Sequence, residues 1–276
     1  MTNPITCHLC GSKNTKLISK VDEKPEFETD YQIKKRDYYR EIRQCLECLV
    51  YFNNHGMNLI TEDFYSGKYN EHIGTGNLVK RFEKIKKIPF EESDNKQRVE
   101  RVDQFVRHRF SEEYPDIALL DVGTGTGVFV HEFRKRLTNV CCVDPDRDSI
   151  DLVNKKIDLK QAWLGSVKDV PKTERFEIIA LNKVLEHVEK PIQLLSECRE
   201  YLKPKGIVYI ELPYATNIIK EQKQNERGEF AIEHFTIFNV ESFEYLLSEA
   251  CFRVLDMKNI IDPSGKETIY AFSEKR

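Results

Sequence analysis

Residues Leu119 to Gly127 read LLDVGTGTG, an apolar run that ends in an acid and then three glycines on alternate positions. Leu119, Leu120 and Val122 suit a strand buried on both faces, while Val128, Val130, Phe133 and Leu137 suit the packed face of the helix that follows. The glycines therefore occupy a strand-to-helix turn. There the backbone must take conformations that a β-carbon forbids, and a ligand must approach the main chain closely. Free N–H groups at the helix start attract an anionic group. A dinucleotide would require G-x-G-x-x-G. From Gly123 the third glycine falls one residue early, at Gly127, and from Gly125 the position holds Val130. A second strand, Val140 to Val143, ends at Asp144, about twenty residues past the turn, where such folds place the acid that holds ribose hydroxyls. The pattern describes a nucleoside site without dinucleotide phosphate spacing.

Strands and helices alternate onward from Ile117: Ala118 to Val122, a helix to Leu137, Val140 to Val143, a helix from Asp146, a short strand near Leu159 to Leu164, then Phe176 to Leu181. Pro191 suits the first turn of a helix carrying Leu194, Leu195, Cys198 and Leu202, which ends at Pro204-Lys205-Gly206 before a strand from Ile207 to Leu212. Asn239 caps a helix with Phe243, Leu246, Leu247 and Ala250 on one face. Arg253 to Ile261 and Glu267 to Phe272 flank Asp262-Pro263-Ser264-Gly265, a turn that makes a closing antiparallel hairpin. Before this core, Leu78, Phe82 and Ile85, then Val99, Val102 and Val106, recur at helical spacing. With Phe64, Tyr65 and Tyr69 ahead of them they form a helical connector, broken by Pro89 and by Glu91 to Asn95.

DVGTGTG and VDPD resemble the first two motifs of class I S-adenosylmethionine-dependent methyltransferases, and LNKVLEHVEKP and LKPKGIVYIELP strengthen the match from about Arg98 onward. The resemblance implies an α/β fold: a doubly wound, mostly parallel, Rossmann-like seven-stranded sheet with a C-terminal antiparallel hairpin. It further implies that Asp121, Gly123, Thr124, Gly125 and Gly127 shape the methionine side of the cofactor pocket and that Asp144 binds the ribose. Pro145 and the turn Gly165-Ser166-Val167 lie near the adenine, where many relatives carry an acid in place of Ser166. Asn182, at the carboxyl end of the fourth strand of the core, faces the sulfonium region or caps the segment that starts at Lys183.

The chain's two C-x-x-C pairs, Cys7-His8-Leu9-Cys10 and Cys45-Leu46-Glu47-Cys48, each suit a knuckle that offers two thiolates to one tetrahedral zinc. Four reduced thiols or a redox dithiol is the alternative, but redox C-x-x-C motifs open a helix and come singly. A closed four-sulfur shell leaves no position for water, so this zinc is expected to be structural. The ribbon runs from about Thr6 to Asn53, with Leu17 to Val21 and Arg43 to Phe52 as strands, and is too small to fold without its metal. Cys141, Cys142, Cys198 and Cys251 fall inside apolar patterns and read as small core hydrophobes. The expected division is a zinc ribbon over 1–56, a connector or cover over 57–112 and the methyltransferase domain over 113–276.

At 276 residues, 40% hydrophobic and 32% charged, the chain can bury one good core and a smaller module. It has no apolar run that could cross a bilayer and opens MTNPITCHLC, with no secretory leader, so a cytoplasmic location is expected. A net charge of −3 argues against a broad electrostatic grip on nucleic acid. Together the ribbon, the F-Y-x-x-x-Y connector and the core resemble bacterial methyltransferases of nucleotide sugars, surface polysaccharides and related metabolites. Two departures stand out. Leu49 occupies a position where the family commonly has glycine, and the chain stops after the hairpin, without the extra domain of deoxysugar carbon methyltransferases.

The favoured acceptor is therefore a hydroxyl on a sugar or small metabolite. Such an oxygen must lose its proton as it attacks, and His187 in LEHVEKP and His234 in IEHFTIFN are the two candidate bases. The latter segment resembles the E-H-x-x-x-F entry to the last helix of small-molecule methyltransferases. Tyr65 and Tyr69 could wall the acceptor site or simply pack the connector. An RNA methyltransferase gripping its substrate through the ribbon, and a cofactor-binding protein without catalysis, are the rival readings. The acceptor pocket is expected between the carboxyl ends of the first, fourth and fifth core strands, under a cover near Tyr69 and His234.

Overall fold

The structure is a computed structural model that describes residues 5–26, 28, 38–55 and 78–276. Tyr65, Tyr69 and the first part of the connector lie outside the described residues. The core sheet contains β4 (Ala118–Val122), β5 (Asn139–Asp144), β6 (Gln161–Leu164), β7 (Phe176–Asn182), β8 (Leu202–Pro213), β10 (Phe252–Ile261) and β11 (Glu267–Lys275). Their order is β10-β11-β8-β7-β4-β5-β6. All neighbours from β8 to β6 are parallel, and β11 runs antiparallel between β8 and β10. This is the doubly wound seven-stranded sheet with a terminal hairpin that the alternating pattern implied.

Because strand side chains alternate, Leu120 and Val122 of β4 enter one apolar layer and Leu119 the other. Both faces are covered, as the unbroken apolar run required. One layer is closed by α5 (Pro191–Glu200) and α7 (Val240–Glu249); the other by α2 (Asp94–Arg109), through Val99, Val102 and Val106, by α3 (Val128–Phe133) and by α4 (Arg147–Lys156). An earlier helix, α1 (Leu78–Lys87), buries Phe82 against that second layer. Helix starts follow their caps. Ser93 accepts from Lys96 N to open α2, Asn239 and Ser242 form a reciprocal box at α7, and Pro191 fills the first position of α5, where no N–H is needed.

Three expectations are corrected. Leu202 lies in β8 and not in the preceding helix; β8 runs through Pro204-Lys205-Gly206 with a register shift against β7 at Phe176/Ile178, so the turn residues form an irregularity within the strand. The span Arg43 to Phe52 is two strands, β2 (Arg40–Cys45) and β3 (Tyr51–Asn54), separated by the second knuckle. Cys251 is exposed, with φ +59° just past α7, whereas Cys141, Cys142 and Cys198 are buried as expected. A helix-terminal position with left-handed backbone places its side chain away from the face that the apolar pattern assigned.

The N-terminal sheet has the order β1-β2-β3-β9, where β1 is Thr15–Val21 and β9 is Thr236–Ile237. Its fourth strand thus comes from the far end of the chain: Tyr51 pairs with Ile237 and Phe52 with Thr236. Cys7, Leu9, Val50 and Phe52 share an apolar layer with α5 and α7. Val21, Tyr38, Ile42 and Tyr51 join Ala215, Ile218, Phe230, Ile232 and Ile237 in another, through the short helix α6 (Thr216–Lys220). The ribbon is held to the core by a shared sheet and by two apolar seams.

Candidate functional site

Gly123, Gly125 and Gly127 carry φ of 76°, 50° and 73°, so the turn after β4 is left-handed at every second residue. A β-carbon on Gly123 would lie 2.7 Å from Val184 Cγ2 and one on Gly127 2.8 Å from Val153 Cγ2, whereas Gly125 faces open space. Two of the glycines allow close packing, and the third leaves room over the turn. Gly125 N donates to Asp144 Oδ2 and Asp146 N to Asp144 Oδ1, each at 2.8 Å, so backbone donors orient both carboxylate oxygens. Each oxygen keeps a second acceptor direction. Burial pushes the Asp144 carboxyl up to about 6 despite these donors. Asp146 caps α4 through Ser149 N and Oγ, and Pro145 between the two acids is exposed.

Asp121, near the end of β4, is pushed up to about 7 by burial, against the pull of the hydrogen bond from Asn182. Asn182 Nδ2 donates to Asp121 Oδ1 at 3.0 Å, so this side chain joins the glycine turn instead of capping the next segment. Gly165 N reaches Asp144 O at 2.9 Å, which brings the turn after β6 beside Asp144. Within that turn Ser166 is exposed and bound to Asp169 in a reciprocal cap, and Val167 is buried in the core.

His187 and His234 come from distant parts of the chain and meet edge to face, with ring centroids 4.6 Å apart. Phe235 N donates to Glu186 O at 2.7 Å, fastening the His234 segment to the turn after β7. His234 Nδ1 lies 2.8 Å from Glu229 O, and His187 Nδ1 lies 3.3 Å from Glu233 O. A carbonyl can only accept, so each Nδ1 carries the hydrogen, and Nε2 of His234 keeps its lone pair. Burial lowers His187 to about 3, and burial, against the help of the Glu229 carbonyl, lowers His234 to about 4. The buried Glu186 side chain lies within 4.8 Å of both imidazoles, and burial raises it to about 8. Its Oε2 has no hydrogen-bond partner, so a protonated Glu186 beside two neutral imidazoles is the charge state that burial favours.

A second polar cluster was not anticipated. Glu211, completely buried on β8, pairs with Arg98 at 2.5 Å and Arg101 at 3.4 Å, and accepts from Tyr209 OH at 2.8 Å. Burial alone would raise Glu211, but the Arg98 and Lys183 charges hold it down to about 2. Lys183, with φ +57°, donates to Thr268 Oγ1 at 2.7 Å. The sequence signal was the lone acid inside the apolar run IVYIELP, since a buried acid requires a cationic partner.

In the ribbon, the four sulfurs of Cys7, Cys10, Cys45 and Cys48 lie within 4.8 Å of one another, with Cys7–Cys48 and Cys10–Cys45 each at 3.5 Å. A tetrahedron with metal–sulfur bonds of about 2.3 Å has edges of about 3.8 Å. Leu9 N and Glu47 N point at Cys7 and Cys45 Sγ at 3.4 Å, and φ is positive at Gly11 (74°) and Leu49 (62°), each directly after a knuckle. The two knuckles are thus alike in backbone, and Leu49 adopts the conformation that glycine takes in the other. This cluster fits a zinc ribbon.

A family model described as "Methyltransferase domain" matches residues 95–256. This chain belongs to that family and carries its methyltransferase domain. Among curated proteins it is 28% identical over 101 residues to a ubiquinone biosynthesis O-methyltransferase of Actinobacillus pleuropneumoniae, covering 33% of this chain and 43% of that protein. It is 34% identical over 107 residues to the mitochondrial enzyme of that name from Saccharomyces cerevisiae, covering 35% and 33%. The chain therefore spans less than half the length of these relatives. Among solved structures, magnesium protoporphyrin IX methyltransferase of Synechocystis PCC 6803, with bound S-adenosylhomocysteine, superposes with a TM-score of 0.54 at 11% identity, covering 78% of this chain and 97% of its own. An S-adenosylmethionine-dependent methyltransferase of Clostridium acetobutylicum gives 0.51 at 12% identity, covering 76% and 99%. At such identities the likeness is one of fold. Among the described residues no helix is long and apolar enough to cross a membrane.

The depressed histidines predict a definite titration. In the unfolded chain each takes its proton near 6.5, in the folded protein only near 4 or below. Their contribution to stability is therefore full above 6.5 and is lost as pH falls from there toward 4, by about 1.4 kcal/mol per unit for each histidine. In NMR titrations the His187 and His234 rings should stay neutral at pH 5.5; a midpoint near 6.5 for either would contradict the buried pair.

Proposed function

We propose that this enzyme transfers the methyl group of S-adenosylmethionine to a hydroxyl oxygen of a sugar, nucleotide sugar, polysaccharide or other small metabolite. The observation that carries the reading is the His187–His234 pair. His234, its Nδ1 hydrogen committed to the Glu229 carbonyl, presents an unprotonated Nε2, and it packs edge to face on His187 just past the carboxyl end of β7. An oxygen acceptor needs such a base, and the curated relatives are named O-methyltransferases. The limited coverage of those relatives leaves the acceptor to this proposal.

The cofactor supplies an electrophilic methyl group on a sulfonium. Asp144 accepts hydrogen bonds from the ribose hydroxyls through the directions that Gly125 N and Asp146 N leave open. Asp121, Gly123, Thr124, Gly125 and Gly127 form the methionine side, Pro145, Gly165, Ser166 and Val167 the adenine side, and Asn182, turned toward Asp121, borders the sulfonium. His234 would take the acceptor proton on Nε2 as the acceptor oxygen gains the methyl group that the bound cofactor would supply, the sulfonium leaving as a neutral thioether. A neutral imidazole in a dry pocket is ready for this at pH 7. Tyr69 is proposed as a wall of the acceptor site. A single structural zinc, held by Cys7, Cys10, Cys45 and Cys48, completes the ribbon.

Asp144→Ala should weaken S-adenosylhomocysteine binding by about 1.5 to 3 kcal/mol, roughly ten- to a hundredfold, through lost charge-assisted hydrogen bonds. Calorimetry that gives equal binding of NAD, or none of S-adenosylhomocysteine, would defeat the cofactor assignment. On the hydroxyl acceptor identified from a panel of sugars and metabolites, His234→Ala should lower kcat about a hundredfold with cofactor affinity retained. Unchanged turnover would pass the base to His187. Protein purified without chelator should carry one zinc per chain, and metal analysis that finds none removes the proposed zinc.

A further inference from the structure

We propose that Asn53, a ribbon residue remote in sequence from every methyltransferase motif, is a positioning residue for His234, so that the ribbon serves as the mount of the catalytic turn. This rests on the reading of His234 as the base. Asn53 Nδ2 divides its two hydrogens between Ala231 O and His234 O, both at 2.9 Å, and its Oδ1 accepts from Arg40 Nη1 at 2.9 Å. Its own carbonyl faces His8 Nε2 at 3.2 Å. The side chain is 2% exposed and all of its capacity is directed. An amide is the group this place requires: two carbonyls demand two donors, and the guanidinium demands an acceptor.

Asn53 does not act alone. Arg40, completely buried, also donates to Phe230 O and pairs with Glu28 Oε1 at 2.7 Å, and Glu28 Oε1 in turn accepts from Ile232 N at 3.1 Å. Four main-chain groups between Phe230 and His234 are thus gripped by three ribbon side chains. Immediately beyond, Thr236 and Ile237 pair with β3 itself. The His234 ring is fixed at its other side by Glu229 O. Nothing in this arrangement touches the glycine turn or Asp144. The ribbon should therefore set where Nε2 of His234 points without setting how the cofactor is held.

The test compares Asn53→Ala, Asn53→Ser and the ribbon control Thr15→Ala, which removes the hydroxyl that accepts from Arg43 Nε far from the His234 turn. Long-range nitrogen–proton NMR on histidine-labelled full-length protein reads the tautomer and shift of His234, and calorimetry reads S-adenosylhomocysteine affinity. Asn53→Ala is expected to convert the His234 signal from a single Nδ1–H tautomer to an averaged one, with affinity within about twofold of wild type and kcat for a hydroxyl acceptor down ten- to a hundredfold. Asn53→Ser, which retains one donor, should fall between, and Thr15→Ala should leave His234 unmoved. If Asn53→Ala fails to fold, the serine variant carries the same comparison. An unmoved His234 signal in the folded Asn53 variants, or an equal shift in Thr15→Ala, overturns the positioning role. The NMR readout needs no turnover, so an active His234→Ala enzyme would refute the base while leaving this result to stand or fall by itself.

Discussion

The carboxyl edge of the sheet depends on one hydrogen bond, from Gly125 N to the Asp144 carboxylate. It ties the turn after β4 to the end of β5, and Gly165 N on Asp144 O draws in the turn after β6. Three successive loops are thereby registered on one acid. The bond is possible because the backbone at Gly125 is left-handed and its flank is open. A side chain there would be strained at φ 50° and would fill the open space over the turn. A buried acid whose oxygens already face two main-chain donors is also preorganised, so little of the binding energy goes into ordering it.

Buried charge is handled differently on the two sides of β7. Toward β8, Glu211 is surrounded by Arg98, Arg101 and Lys183 and stays ionised. Toward the His234 turn, burial outweighs the pull of Lys183 on Glu186 and drives it and the two histidines to their neutral forms. The first arrangement is costly to break, because removing one partner strands a charge in a dry core. The second holds its groups uncharged, so loss of one of them strands no charge.

Much of this was legible in the sequence. The continuous apolar run of β4, the acid at the end of β5 and the two C-x-x-C pairs are local patterns, and each carried its geometry with it. The pairing of His187 with His234 was foreshadowed only as two separate candidates, since nothing in a linear pattern measures the distance between residues 47 apart in the chain. The Glu211 network and β9 were missed for the same reason. A two-residue strand has no periodicity, and an arginine on a helix face reads as solvated until its partner strand is known. Where local rules did err, at Leu202 and Cys251, the apolar pattern ran on past a boundary set by backbone geometry.

The fourth strand of the N-terminal sheet also bears on how this chain is made. Strands β1 to β3 leave the ribosome well before Thr236 and Ile237, which close their sheet. At about 5–20 residues per second, the intervening stretch of roughly 180 residues takes some ten seconds or more to synthesise. For that interval the β3 edge is unpaired and the seams of Val50, Phe52 and Tyr51 lack their partners, the state in which strand edges find wrong neighbours. Early closure of the two knuckles would fold the waiting ribbon upon itself, which gives the four thiols a task during biosynthesis that begins before there is any active site to support.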